Sequence, residues 1–280
     1  MKYIWLFLLV FTVVSCKKKT ESTGTPAKNY SNIAYGTEAK QNFDLYMPAG
    51  ATASTTPLLI LIHGGGWTEG DKSDFIPYIS ELQKRLPTYA FASINYRLSA
   101  NGQNIFPTQE NDVKAAISFI ASKGTEYGYS QTIGLLGASA GAHLALLHAY
   151  KYTSPLKVKA VISLFGPTNM TTMYTNPPNI LTQPALLILL SGTPATNPTL
   201  YQQSSPIQFV SNQASPTLLF HGGNDFVVLP EQSASLKSAL TLAGATAEYY
   251  FYPAEAHGWV GDNLTDTFNK IEAFAKKYIQ

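Results

Sequence analysis

The stretch Gly-Ala-Ser-Ala-Gly at 137–141 decides the fold of this chain. It follows an apolar run at 132–136 that is typical of a buried strand, and it precedes a helical pattern over 140–150. A serine between glycines at a turn from strand to helix predicts that Ser139 is a nucleophile whose hydroxyl stands above the sheet. By itself, the pentapeptide fits a glycine-lined turn with a serine N-cap equally well. The rest of the sequence has to decide between these interpretations.

Strand and helix patterns alternate on both sides of this stretch. They predict one α/β domain at 31–280, with a mostly parallel sheet, an N-terminal antiparallel hairpin and helices on both faces. The predicted hairpin strands are 32–36 and 42–46, and the other strands are 58–62, 90–96, 132–136, 158–164, 217–220 and 247–252. The predicted helices are 75–86, 112–122, 140–150, 231–243 and 264–278. Segment 166–215 breaks the alternation with seven prolines and predicts a small cap or a long loop insertion.

A serine nucleophile needs a base, and five histidines are candidates. His143 and His148 lie on the helix after the serine, where packing is the simpler explanation. His63 and His221 end strands and lead into glycines, so they are expected to brace turns. His257 follows the last strand, in a loop before the terminal helix, where the chain order nucleophile, acid, base places the base.

The third member should be a carboxylate between Ser139 and His257 in the chain. Asp225 lies in the turn after strand 217–220, where it could accept a hydrogen bond from the imidazole. Glu231 is the alternative, but it begins a helix, where the helix dipole explains a carboxylate. Glu255 is too close to His257 in the sequence to reach its far nitrogen. We therefore predict Asp225 as the acid.

A glycine-rich loop follows the strand at 58–62. It reads His-Gly-Gly-Gly-Trp at 63–67 and allows the backbone to approach a substrate with free N–H groups. The spacing does not fit a phosphate-binding loop, because neither the P-loop nor the dinucleotide pattern is present. The amide of Ala140, next to the nucleophile, is a further candidate donor for an oxyanion.

The composition excludes several classes of protein. Charged residues make up 13 % of the 280 residues and the net charge is +2, so no basic footprint for a nucleic acid is expected. The chain has one cysteine, Cys16, which excludes an intrachain disulfide and a cysteine-based zinc site. No metal site or cofactor is expected, and the oligomeric state is left open.

The N-terminus reads as a targeting signal. Met1-Lys2 and a 12-residue apolar stretch are typical of a secretory signal peptide at 1–15, too short to span a membrane comfortably. The four residues Val-Val-Ser-Cys at 13–16 resemble a bacterial lipobox, which predicts lipidation of Cys16; the alternative is an ordinary signal peptide with an incidental cysteine. Residues 16–30 then read as a tether. The expected location is the bacterial cell envelope, on a membrane through the lipid anchor.

These motifs together resemble the α/β-hydrolases of the esterase and lipase group, and most closely the BD-FAE family of bacterial feruloyl and acetylxylan esterase-like proteins. Further stretches that match are Phe-Asp-Leu-Tyr-Met-Pro at 43–48, Asn-Tyr-Arg-Leu at 95–98 and His-Gly-Gly-Asn-Asp at 221–225. The resemblance implies an α/β-hydrolase fold and a triad of Ser139, Asp225 and His257. It also implies that the amides of Gly65, Gly66 and Ala140 form the oxyanion hole.

The implied function is a carboxylesterase that cleaves small acyl esters, with acetyl or feruloyl groups on a small molecule or a polysaccharide as candidates. Two alternatives stay open at this point. One is a serine peptidase of the prolyl-oligopeptidase type, which usually carries a propeller that is not visible here. The other is a non-catalytic envelope binding protein on a hydrolase scaffold, which would be expected to have a damaged triad.

Overall fold

The computed structural model describes residues 25–152 and 156–280. The predicted signal peptide at 1–15 and the predicted lipidation site Cys16 lie outside the described residues. The strands are β1 (Lys28–Ala34), β2 (Asn42–Met47), β3 (Leu58–Ile62), β4 (Ala90–Ile94), β5 (Ile133–Ala138), β6 (Ala160–Leu164), β7 (Thr217–Gly222) and β8 (Ala247–Tyr252). They form one eight-stranded sheet in the order β1-β2-β4-β3-β5-β6-β7-β8.

The sheet confirms the predicted topology. β1 and β2 form the antiparallel hairpin, and β2 also pairs antiparallel with β4. From β4 to β8 all neighbouring strands are parallel. The predicted tether is wrong at its end, because β1 already begins at Lys28, where Lys28 pairs with Met47 and Tyr30 with Leu45.

The helices are α1 (Ile76–Arg85), α2 (Thr108–Ser122), α3 (Gly124–Tyr127), α4 (Ala140–Lys151), α5 (Met170–Thr175), α6 (Thr182–Leu189), α7 (Pro198–Gln203), α8 (Glu231–Leu242) and α9 (Gly261–Tyr278). All five predicted helices are present. Two of them begin earlier than predicted: α2 at Thr108 and α9 at Gly261. Their first turns are mostly polar, so the apolar periodicity that identifies a helix begins only in the second turn.

Helices cover both faces of the sheet, as the fully apolar strands require. On β3, Leu58, Ile60 and Ile62 pack with the helices α2, α4 and α8. The alternate residues Leu59 and Leu61 pack with α1 and α9. Every residue of β3 is completely buried, because the side-chain period of two sends successive residues into the two cores.

Segment 166–215 is a cap of short helices rather than a long loop. It holds α5, α6 and α7 and a 3₁₀ turn at Pro206–Phe209, all inserted between β6 and β7. Tertiary contacts hold these helices: the amide side chain of Gln232 accepts from the backbone N–H of Thr168 and of Asn169, at 2.9 and 2.8 Å. The hydroxyl of Ser205 accepts from the N–H of Met170 at 2.9 Å.

Candidate active site

Ser139 lies in the sharp turn between β5 and α4. Its backbone has φ 53° and ψ −121°, a strained conformation for a residue with a side chain. A methyl group on Gly137 would lie 2.3 Å from the carbonyl oxygen of Gly141, and one on Gly141 would lie 2.0 Å from that of Ile62. Both flanking glycines are therefore required sterically, and the turn is the predicted nucleophile elbow.

The structure brings Ser139, His257 and Asp225 into one hydrogen-bonded chain. The Nε2 atom of His257 lies 2.9 Å from the Oγ of Ser139, and its Nδ1 lies 2.7 Å from the Oδ2 of Asp225. With the Nδ1–H donating to the carboxylate, Nε2 is left free to accept the serine proton. Ser139 and Asp225 follow the carboxyl ends of β5 and β7, and His257 lies in the loop after β8. The fold thus brings together three residues that are far apart in the sequence.

The two alternative acids do not take this place. Glu255 accepts a hydrogen bond from the side chain of Asn263 at 2.6 Å. Glu231 lies in the first turn of α8. Among the described residues, neither carboxylate has a hydrogen bond or ion pair with His257.

Asp225 is held ionised in a buried setting. Its Oδ1 accepts from the N–H groups of Val227 and Val228, at 2.8 and 2.9 Å. Its Oδ2 contacts both His257 and the Nε2 of His221, the latter at 3.2 Å. Burial alone raises the pKa of Asp225, but the hydrogen bonds from the two histidines outweigh this and hold the pKa well below its ordinary value.

His221 braces the turn that carries Asp225, as expected. Its Nε2–H points at the carbonyl oxygen of Val228 at 2.8 Å, and its Nδ1 lies 2.7 Å from the hydroxyl of Ser233 on α8. The ring is completely buried. His221 is therefore a positioning residue for Asp225, because it contacts Asp225 itself and also Val228 and Ser233, which follow Asp225 in the chain.

The loop at 63–67 lies against the elbow. A methyl group on Gly64 would lie 3.3 Å from the Cβ of Ser139. Gly65 and Gly66 have φ of 99° and 57°, in the left-handed region that favours glycine. Within the described ranges, the backbone N–H groups of Gly65, Gly66 and Ala140 have no protein acceptor. Free backbone donors of this kind, in a loop that lies against Ser139, are what an oxyanion hole requires.

Two contacts that the sequence did not predict hold this loop. The hydroxyl of Tyr96 donates to the carbonyl oxygens of His63 and Gly64, at 3.0 and 3.1 Å. The indole N–H of Trp67 donates to the Nδ1 of His143 at 3.2 Å. Tyr96 lies in the stretch 95–98 that carries the resemblance to the family, but nothing in the sequence indicated that its hydroxyl contacts this loop.

His143 and His148 pack in the core, as expected. The Nε2 of His143 lies 2.6 Å from the carbonyl oxygen of Ser204 in the cap, so His143 links the cap to the oxyanion loop through Trp67. Burial lowers the pKa of His143 to about 4 and that of His148 also to about 4. Burial lowers the pKa of His63 as well. These three rings are neutral at ordinary pH.

A cavity of about 330 Å³, here called the cap cavity, opens over Ser139. Gly66 and Ser139 are part of its lining, together with several residues of the cap. The lining is mostly apolar and includes Trp67, Met173, Leu181 and Val227. An ester bound in this cavity would therefore lie beside the hydroxyl of Ser139 and the backbone of Gly66.

Residues 25–152 and 156–280 lack two features that would point to another kind of protein. They contain no group of three or more histidine, cysteine, aspartate or glutamate side chains placed to hold a metal ion. They also contain no helix that is long and apolar enough to cross a membrane.

The fold and the site define the chain as an α/β-hydrolase: a mostly parallel sheet, a serine in an elbow after the fifth strand, and a histidine and aspartate in the loops after later strands. The BD-FAE family model matches residues 43–240. The chain belongs to this family.

Known proteins with similar sequence or structure agree with this class. Esterase LipQ from Mycobacterium tuberculosis is 29 % identical over 82 % of this chain and 57 % of its own length. The chain spans about half the length of the curated relatives that it matches. Among solved structures, a bifunctional GH43-CE protein from Bacteroides eggerthii has a TM-score of 0.78 at 27 % identity, covering 89 % of this chain and 35 % of that one. A truncated carbohydrate esterase from gut microbiota has a TM-score of 0.74 at 26 % identity, covering 90 % of this chain and 99 % of that one.

Proposed function

We propose that the protein is a carboxylesterase that cleaves small acyl esters through an acyl-enzyme on Ser139. The observation that carries the proposal is the chain of contacts from Ser139 through His257 to Asp225, at 2.9 and 2.7 Å. Membership of the BD-FAE family and the esterases among its relatives support the same reaction class.

Each residue of the triad has one role in the proposed reaction. The Oγ of Ser139 attacks the ester carbonyl carbon while the Nε2 of His257 takes its proton. The carbon–oxygen bond to the alcohol then breaks, and His257 returns the proton to the leaving oxygen. A water molecule repeats the sequence on the acyl-enzyme and releases the acid. Asp225 stays ionised and stabilises the imidazolium formed in each half of the cycle.

The oxyanion is the charge that the loop and the elbow are arranged to meet. The N–H groups of Gly65, Gly66 and Ala140 would donate to the carbonyl oxygen as it becomes negative. Backbone donors held in advance need no reorganisation, and one such donor is worth about 10²–10³-fold in kcat. Tyr96 and Trp67 contribute by fixing the loop that carries two of the three donors.

For the substrate, we propose acetyl or feruloyl esters of carbohydrate. The cap cavity is apolar and of moderate volume, which suits a small acyl group or a single aromatic ring. Two structural relatives are described as a GH43-CE protein and a carbohydrate esterase. The same two names support the choice of a sugar as the alcohol.

We also propose that the protein is a lipoprotein of the bacterial cell envelope, attached to a membrane through Cys16. The support is the apolar stretch before the single cysteine and the match to a lipobox. Metabolic labelling with a fatty acid tests this: the native chain should incorporate the label, and Cys16→Ser should not. Labelling of both forms, or of neither, would contradict the anchor.

Hydrolysis of 4-nitrophenyl acetate tests the reaction class. The protein should release 4-nitrophenol in repeated turnovers, and Ser139→Ala should be silent at the same concentration. A fluorophosphonate probe should label the native chain at Ser139 only. A peptide 4-nitroanilide assayed in parallel separates an esterase from a peptidase. Absence of both turnover and labelling would exclude a serine hydrolase and favour a binding protein.

A further inference from the structure

The two edges of the sheet are built differently. At one edge, the register of β1 is interrupted between Tyr30 and Ile33, and Lys28 opens the strand. Bulges and lysines of this kind are the usual means by which an edge strand avoids pairing with another chain. At the other edge, β8 pairs with β7 without interruption over Ala247–Tyr252 and contains no lysine, proline or glycine. The edge at β8 is therefore open to a further strand.

The backbone of β8 presents a row of hydrogen-bonding groups to the outside. The N–H of Thr217 donates to the carbonyl oxygen of Thr246, and the N–H of Gly223 donates to that of Tyr252, at 3.0 and 2.8 Å. Because the backbone groups of successive residues point to alternate sides, the even-numbered residues of β8 pair with β7. The residues whose N–H and C=O groups face outward are Ala247, Tyr249 and Phe251. Among the described residues, these groups have no protein partner.

The side chains of this edge are aromatic and hardly charged. Phe251 is 47 % exposed and Tyr249 is half-buried, and their ring centroids lie 6.3 Å apart on one face of the strand. Glu248 is the only charged residue of β8. An uncharged edge with exposed aromatic rings is the kind of surface to which another strand adds.

We infer that β8 binds β8 of a second copy of this chain, in antiparallel pairing about a two-fold axis at Tyr249, so that two sheets join into one. The inference concerns assembly and does not depend on the proposed esterase reaction. In this register the outward-facing residues meet one another: Tyr249 lies opposite Tyr249 of the second copy, and Ala247 lies opposite Phe251. Each of these pairs can exchange both of its backbone hydrogen bonds.

Size and charge favour this register and a second copy as the partner. The small side chain of Ala247 leaves room for the ring of Phe251 that it faces. Glu248 lies opposite Tyr250, whose hydroxyl donates to Glu248 within one chain at 3.2 Å. An axis at Glu248 would place two carboxylates opposite each other, which is unfavourable. An axis at Tyr250 would place Ala247 opposite Pro253, which has no N–H to donate.

A lysine in the edge strand tests the contact. The reference is the full-length chain with Cys16→Ser, which has no thiol and cannot carry the proposed lipid. Light scattering during gel filtration should give this reference the mass of two chains. Phe251→Lys in the same background should raise the dissociation constant of the dimer at least about tenfold, because each dimer would hold two lysines in the contact.

Ile76→Lys is the matched control. Ile76 is 46 % exposed, close to the value for Phe251, but it lies at the start of α1. This variant should keep the mass of two chains, and circular dichroism should show the same fold for all three proteins. A reference that has the mass of one chain at every concentration, or a Phe251→Lys variant that dimerises as well as the reference, would overturn the inference.

Engineered cysteines test the register. Tyr249→Cys would place two Cα atoms about 5.5 Å apart across the axis, within the range of a disulfide. Ala247→Cys is the control, because its two copies would lie four residues apart, about 14 Å along the strands. After mild oxidation in the Cys16→Ser background, Tyr249→Cys should run as a covalent dimer on a non-reducing gel and Ala247→Cys should not. A covalent dimer of Ala247→Cys, or none of Tyr249→Cys, would contradict the axis at Tyr249.

Discussion

Asp225 is the residue whose surroundings separate it most clearly from the other carboxylates near His257. Its side chain is fully buried and receives two backbone N–H groups and two imidazoles. Within the part of the chain that the structure describes, the side chain of Glu255 has one hydrogen bond, which it accepts from Asn263. A carboxylate held in this way keeps one orientation and one charge, and both are needed to fix the tautomer of His257.

Replacing the acid with its amide should remove this control. In Asp225→Asn, the oxygen can still accept from Val227 and Val228, so the amide NH₂ faces His257. The imidazole must then accept at Nδ1 and carry its proton on Nε2, where it can no longer take the proton of Ser139. We expect kcat to fall about 10⁴-fold, the size known for this change in serine triads. Steady-state kinetics on 4-nitrophenyl acetate measure it.

Glu255→Gln is the matched control for that measurement, since it makes the same chemical change in the loop that carries His257. Its activity should stay close to that of the native chain. A large loss of activity in Glu255→Gln together with a small loss in Asp225→Asn would show that Glu255, and not Asp225, is the acid.

The pH dependence of the reaction follows from the same residues. His257 accepts a proton only when it is neutral, whereas Asp225 stays ionised because its pKa is held well below its ordinary value. Measured from pH 5 to 8, kcat/KM should rise with pH, because only the neutral form of a general base can take the serine proton. No second step from the acid should appear in this range. A profile measured with 4-nitrophenyl acetate that is flat over this range would contradict the assignment of His257 as base.

At this scale, chain order and local context predicted Ser139, Asp225 and His257 from among five histidines and several carboxylates, and the structure brings these three side chains into hydrogen-bond contact. The residues that hold them were harder to predict. Tyr96 and His143 act through contacts with residues distant in the sequence, with His63 and Gly64 in one case and Ser204 in the other. A side chain that makes its contact only after the sheet is assembled leaves no local pattern to detect.

At the scale of elements, the close packing of β3, β5 and α4 holds Ser139 in its turn. Gly141 packs so closely on the end of β3 that a methyl group there would lie 2.0 Å from the carbonyl oxygen of Ile62 and 2.3 Å from that of His63. Both obstacles are backbone atoms, which cannot turn aside as a flexible side chain could. The helix and the strand must therefore separate if Gly141 gains a side chain.

Gly141→Ala should lower the free energy of unfolding by more than about 3 kcal/mol, the range of severe overpacking, and should reduce activity more than stability alone explains. Urea unfolding followed by tryptophan fluorescence measures the first effect. Gly50→Ala is the control, because Gly50 also has a positive φ of 73° but open space around it. It should cost only about 1 kcal/mol of backbone strain. Equal losses in the two variants would show that steric contact at Gly141 is unimportant.

Elements with strong periodicity were predicted, and weakly patterned ones were not. β3 and β8 have the predicted bounds, because a continuous apolar run or a strand rich in aromatic residues can be recognised from its own few residues. The cap helices α5 and α7 are six residues each and largely polar. Their stability comes from partners such as Gln232 on α8, so the sequence predicted a cap or loop without its helices.

At the scale of the whole molecule, the layers bury histidines as well as apolar side chains. His63, His143 and His148 lie at the end of β3 and on α4, between the sheet and what covers it. Burial lowers the pKa of all three, and that of His143 and His148 to about 4. In the unfolded chain these histidines bind protons at an ordinary pKa of about 6.5, whereas in the folded protein they stay neutral to a lower pH.

This difference makes stability depend on pH with a definite sign. Between about pH 6.5 and pH 4 the unfolded chain binds more protons than the folded one, so the free energy of unfolding falls as the pH falls. The slope can reach about 1.4 kcal/mol per pH unit for each histidine that titrates only when unfolded. The carboxylates with lowered pKa, such as Asp225, add to the loss only below about pH 4 to 5, because their unfolded pKa is lower.

Urea unfolding at pH 8, 7, 6 and 5 measures this dependence. The free energy of unfolding should be nearly equal at pH 8 and 7, where the rings are neutral in both states, and should fall between pH 6.5 and 5. His148→Phe keeps a ring beside Tyr152, whose centroid lies 5.4 Å away, and removes one titrating group, so it should flatten the slope. Its stability relative to the native chain should therefore improve as the pH is lowered. A native chain that is equally stable at pH 7 and pH 5, or a His148→Phe slope as steep as the native one, would mean that the buried histidines take up protons without unfolding.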